Sequence, residues 1–202
     1  MALSKFKVVA ATAVAVAASL LLVAPADAGK KATADAKATA PSPNSVKLES
    51  GVWVSKVVGA PAQWNYVATA DPSGRHAAAY GTVDVGFYSA LDKLTDETSP
   101  LLIDVVMTGP DTATFNSVWY GIKHYDEETA LEKQVSGYIV YIGVNRGTLK
   151  YTSPDRADGT HNICYFDAAT SDIDPADGFP DATAVPFFCP DTVYTVDTRL
   201  GQ

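Results

Sequence analysis

The sequence predicts an all-β domain, an antiparallel meander that forms either a barrel or a two-sheet sandwich. Three observations carry this. Apolar and polar residues alternate with period two in most segments after residue 48. Turn residues separate these segments at hairpin spacing. The helix-permissive stretch, Asp126 to Val135, is too short to supply the crossovers of a parallel sheet.

The chain opens with Lys5 and Lys7, an uncharged run from Val8 to Val23, then Pro25 and the small-x-small triplet Ala26-Asp27-Ala28. This order is that of a secretory signal, with removal expected after Ala28. The apolar run has 16 residues, fewer than the ~20 of a spanning helix. Secretion or periplasmic export is therefore expected, without a membrane anchor. Residues 29–47 are rich in Ala, Lys, Ser, Thr and Pro and hold no aromatic residue. They cannot bury enough apolar surface to offset their ordering entropy, and read as a flexible linker. Residues 48–202 form the β domain.

Strands are expected as follows. Trp53, Ser55 and Val57 alternate with Val52, Val54 and Lys56, and Trp64 and Tyr66 with Gln63 and Asn65. Val83, Val85 and Phe87 alternate with Thr82, Asp84 and Gly86. Leu101 to Met107 and Gly137 to Val144 are apolar more nearly throughout, as where both faces are covered. Thr112 to Ile122, Thr148 to Thr152 and Thr160 to Phe166 follow, and Tyr194 and Val196 alternate with Thr195 and Asp197. Turns are expected at Asp71-Pro72-Ser73-Gly74, Gly109-Pro110-Asp111 and Asn145-Arg146-Gly147.

Charge and cysteine content narrow the partners. The net charge is −8, and loss of the leader takes it to −9. Such a chain is repelled by nucleic acid and by anionic membrane surfaces. Cys164 and Cys189 are the only cysteines. In an exported protein such a pair is expected to form a disulfide, worth about 3 kcal/mol for a loop of this length. The other reading is two free thiols in redox or metal chemistry, although the spacing fits neither C-x-x-C nor a zinc ligand set.

Inside that loop runs Asp172-Ile173-Asp174-Pro175-Ala176-Asp177-Gly178-Phe179-Pro180-Asp181. It resembles the D-x-D-x-D-G-x-x-D calcium loops of thrombospondin type-3 repeats, with two residues at Pro175-Ala176 where the motif has one. The resemblance implies calcium held by Asp172, Asp174, Asp177 and Asp181. The other reading is a solvated acidic loop closed by the disulfide. Gly51-Val52-Trp53 resembles the G-x-W element of lipocalins, which implies a closed eight-stranded barrel with an apolar interior pocket and Arg199 packed over Trp53. The other reading is a core Trp on an edge strand.

The sequence has no nucleophile elbow, zinc-binding H-E-x-x-H or phosphate loop. The expected function is a non-catalytic binding module, calcium-stabilised if the acidic loop binds metal, for a small apolar molecule or a macromolecule. Two alternatives stand. One is a small barrel isomerase or cyclase using His124 or a buried carboxylate such as Asp104. The other is an extracellular structural or adhesion domain.

Overall fold

The computed structural model describes residues 45–82, 91, 93–174 and 179–201. The leader, most of the linker, the strand expected over 83–87 and Asp177 lie outside the described residues. The chain joins the barrel at Val46, whose N–H donates to Pro110 O at 2.7 Å, two residues before the expected start.

The strands are β1 (Gly51–Val57), β2 (Gln63–Ala70), β3 (His76–Thr82), β4 (Glu97–Thr98), β5 (Leu101–Met107), β6 (Thr112–His124), β7 (Gly137–Ser153), β8 (Arg156–Asp167) and β9 (Val193–Arg199). Eight of them pair antiparallel around a ring, β1-β2-β3-β5-β6-β7-β8-β9, and β9 returns to β1. The result is a closed barrel with no sandwich opening. Closure removes the exposed edges that an open sheet must protect. The short β4 extends the β5 side of β6, pairing Glu97 with Ile122 and Thr98 with Gly121. Pro100 cannot donate to a ladder. At the break Ser99 pairs twice with Tyr120, its N–H donating to Tyr120 O and its Oγ accepting from Tyr120 N.

Two turns form as expected. Asp71 to Gly74 joins β2 to β3, and Gly109-Pro110-Asp111 joins β5 to β6. The turn expected at Asn145-Arg146-Gly147 does not form, because these residues lie within the 17-residue β7. Their turn-like composition has another cause. Asn145 points inward, and a Cβ at Gly147 would stand 1.9 Å from Thr160 O and 2.8 Å from the Phe115 ring. Glycine here permits close approach of strands and ring. The chain reverses instead at Pro154-Asp155.

The sequence predicts no strand over residues 76–81, where β3 lies. Its inward positions are Ala77, Ala79 and Gly81, so it shows no run of large apolar side chains. Small residues suit this wall because Trp53 fills the adjoining interior with Ala77 and Ala79. The helix-permissive stretch yields one described helix, α1 (Glu127–Lys133), at the end of the β6–β7 hairpin. Asp126 caps it by accepting from Thr129 N at 2.8 Å. That bond holds the Asp126 carboxyl below its ordinary range.

The interior is layered. Trp53, Met107, Phe115, Leu149 and Tyr151 pack one end, with Leu48 and several alanines. Trp64, Trp119, Tyr141, Ile163 and Tyr165 pack the other. On the outside, Val118, Ile142 and Val144 form a third cluster, joined by Phe179 from the loop after β8. Cys164 and Cys189 are bonded and pin that loop to the barrel wall. Among the described residues no helix is long and apolar enough to cross a membrane.

Candidate functional site

Between the two apolar layers lies a belt of polar side chains. Strand alternation delivers them: Ser55 from β1, Tyr66 from β2, Ser117 from β6, Asn145 from β7, His161 from β8, and Thr195 and Asp197 from β9. β9 is inverted relative to its hydrophobicity. Tyr194 is 58 % exposed, whereas Thr195 and Asp197 are 1 % and 2 % exposed.

Asp197 is the hub. Its Oδ1 accepts from Ser55 Oγ at 2.5 Å and from Thr195 Oγ1 at 2.9 Å, and its Oδ2 accepts from Tyr66 OH at 3.1 Å. Thr195 Oγ1 also lies 2.8 Å from His161 Nε2, and His161 Nδ1 lies 3.0 Å from Asn145 Nδ2. One assignment gives each of these contacts a donor and an acceptor: Asn145 donates to Nδ1, Nε2–H donates to Thr195, and Thr195 donates to Asp197. Burial disfavours charge throughout. It lowers the His161 pKa from 6.5 to about 4, with the imidazole between the rings of Trp64 and Phe115 at 5.2 and 4.9 Å. Burial raises the Asp197 carboxyl, and its three hydroxyl donors counter this in part. Burial, and then the charge of Asp197, raise the Tyr66 phenol.

The belt borders a cavity of about 40 Å³, walled on its apolar side by Trp64, Leu101, Ile103, Val105, Phe115 and Leu149. Asn145 Oδ1 is buried and has no hydrogen-bond partner among the described residues. Trp119 Nε1, in the neighbouring layer, is the other such atom. The lipocalin resemblance implies an apolar interior pocket; the cavity inside this barrel is small, mostly apolar in its lining and polar on one side.

The residues singled out by sequence are dispersed. Asp104 is not a buried carboxylate. It stands on the outer face, half exposed, in close contact with His76, because its position on β5 has the opposite phase to Leu101, Ile103 and Val105. His124 is also outside, 3.3 Å from Glu97. In the acidic loop, Asp174 N donates to Phe179 O at 2.9 Å and Asp181 N to Asp172 O at 3.0 Å. Asp172, Asp174 and Asp181 thus flank a short backbone ladder. Among the described residues no three acidic, histidine or cysteine side chains are grouped to hold a metal ion. Arg199 stands opposite Trp53 in the β1–β9 ladder. Its guanidinium is held by Asp155 at 2.6 Å and donates to Ser50 O at 3.1 Å. A Cβ at Gly51 would come within 3.1 Å of its Cδ, so the glycine of the G-x-W element leaves room for it.

Sequence reading missed Ser55, Tyr66, Asn145, His161, Thr195 and Asp197 as a group. The available signal was register. Ser55 shares the phase of Trp53 and Val57, which marks a polar residue on a buried face. No protein-family model matches the chain, and no match is found among curated proteins or solved structures.

Proposed function

We propose that the protein is an exported, non-catalytic binding barrel that takes the hydrogen-bonding head of a small, mainly apolar molecule into its polar belt. One observation supports the reading: Asn145 Oδ1, a buried acceptor without a partner among the described residues, belongs to a residue lining a cavity whose other wall is apolar. A buried unpaired amide oxygen costs about 1–3 kcal/mol. A ligand donor recovers that cost, and the Trp64 and Phe115 side supports an apolar body. The cavity limits the buried head to a few heavy atoms. Export is supported by the Cys164–Cys189 bond, which persists in oxidising compartments.

Native mass spectrometry of the protein purified from its own host tests this. A bound small molecule is expected on the wild type and lost in Asn145→Leu. A wild type carrying no adduct, with Asn145→Leu at least as stable, would mean that a buried water or nothing satisfies Asn145. N-terminal sequencing of the exported protein should begin at Gly29. A barrel isomerase or cyclase is the second reading, favoured by the His161–Thr195–Asp197 chain beside the cavity. On that reading, Asp197→Asn keeps the bound molecule but stops its conversion.

A further inference from the structure

A second site lies on the outside of the barrel and does not depend on the interior. Asp104, Asn116, Arg146 and Asn162 are register partners across β5, β6, β7 and β8, so they form one polar row on the outer face. The next row on that face is Tyr80, Leu102, Val118, Val144 and Cys164. The disulfide loop covers this second row only in part. Val118 and Val144 are buried beneath it, whereas Leu102 and Tyr80 remain 52 % and 55 % exposed. Phe179 ends the cover, with the Arg146 guanidinium 5.6 Å from its ring centroid. The result is a groove of about 410 Å³ bordered by Asp104, Asn116, Arg146 and Phe179.

The chemistry of the groove is graded. Asp104 offers an acceptor: His76 takes Oδ1 and leaves Oδ2. Asn116 offers both a donor and an acceptor, and Arg146 offers donors only. No described carboxylate pairs with Arg146. The Phe179 ring lies against the guanidinium and offers no acceptor to its N–H groups, which remain for a ligand. Past the Asp104 end of the groove, on the next row, Tyr80 and Leu102 are register partners and stand exposed, an aromatic and an aliphatic side chain side by side. Acceptor, mixed and donor groups at successive strand spacings, next to an exposed aromatic side chain, match a chain of hydroxyl-bearing rings. Each hydroxyl both donates and accepts, and each ring has an apolar face. From Tyr80 to Arg146 is three strand spacings and one step of two residues along the strand, about 16 Å, a span that suits an oligosaccharide better than a single ring.

We propose that this groove is a saccharide-binding site, with a ring stacked on Tyr80, hydroxyls at Asp104 and Asn116, and a hydroxyl or carboxylate at Arg146. The test titrates three soluble probes into the full, disulfide-bonded chain and follows amide shifts by NMR. The probes are a β-glucan tetrasaccharide, a chitin tetrasaccharide and a galacturonic-acid trisaccharide. At least one should bind, shifting the amides of Asn116 and Arg146. Arg146→Gln and Asn116→Ala should each weaken binding about tenfold or more, as expected for loss of a charge-assisted or paired hydrogen bond. Both positions are exposed, so the melting temperature should stay at the wild-type value. Preference for the galacturonic-acid probe would place a carboxylate at Arg146, and preference for a neutral probe a hydroxyl. The proposal is overturned if none of the three binds at millimolar concentration. It is equally overturned if a probe binds and both variants hold it as tightly as the wild type.

Discussion

Asn145 Nδ2 meets His161 Nδ1 at 3.0 Å inside the barrel, a diagonal contact between β7 and β8. With the Asn145 amide in this orientation, the tautomer of the imidazole follows. An amide donor at Nδ1 requires a lone pair there, so the proton sits on Nε2, where Thr195 Oγ1 accepts it at 2.8 Å. Long-range ¹H–¹⁵N NMR at neutral pH should report a neutral Nε2–H tautomer. An imidazolium signal at pH 7 would contradict both the network and the burial argument.

The same burial links stability to acid. His161 titrates at 6.5 when unfolded and at about 4 in the barrel, so between these values the unfolded chain binds more protons. Its contribution is fully present above pH 6.5 and is lost as pH falls toward 4, by roughly 3 kcal/mol. Asp197 acts with the opposite sign. Its carboxyl is raised, so its contribution is present below the unfolded carboxylate value and is lost as pH rises through the folded one. Relative to the wild type, the denaturant midpoint measured from pH 7 to 4 should fall less on acidification in His161→Gln and more in Asp197→Asn. Parallel curves for all three proteins would remove these two groups from the acid response.

The antiparallel β fold was legible because its strands alternate and because Gly109-Pro110-Asp111 and Asp71 to Gly74 turn where such residues turn; alternation does not tell a closed barrel from a sandwich, which the β9–β1 pairing decides. The polar belt was not legible, for a definite physical reason. Period-two alternation identifies two faces but not which is buried, and the natural assumption puts Tyr194 and Val196 inside. In β9 the buried face is Thr195 and Asp197, because His161 Nε2, Ser55 and Tyr66 wait there as partners from distant strands. A hydrogen-bonded network reverses the usual hydrophobic order, and its members lie up to 142 positions apart. Ala77, Ala79 and Gly81 were silent for a related reason: they are small because a neighbour is large.

The Cys164–Cys189 bond holds a loop across Val118, Ile142 and Val144. Replacing both cysteines with Ala should cost about 3 kcal/mol on the loop-entropy argument. The loss should be local in its first step. Hydrogen exchange should quicken at the Tyr165–Phe188 backbone pair before it does at the β1–β2 ladder. Dye binding to exposed apolar surface should rise as Ile142 and Val144 lose their cover. Uniform loss of protection over all strands would show that the loop is an integral part of the barrel's cooperative unit.

Gly159 offers the sharpest test of the belt. It faces inward on β8, and an added Cβ would come 2.2 Å from Thr195 Oγ1 and 2.7 Å from His161 Nε2. A single methyl group there cannot coexist with the His161–Thr195 hydrogen bond. Thr195 must move, and with it one of the donors to Asp197. Overpacking costs about 1–3 kcal/mol, and each buried polar group left unpaired costs about 1–3 kcal/mol more. Gly159→Ala should therefore lower stability by about 2–4 kcal/mol and perturb the His161 ring signals. Gly109→Ala is the control, because the nearest atom its added Cβ would meet is Thr112 Cβ at an ordinary 3.5 Å, and it should stay within about 0.5 kcal/mol of wild type. If Gly159→Ala melts with the control and leaves the His161 resonances in place, the interior is not a tightly coupled network, and both the binding and the proton-transfer readings lose their geometric basis.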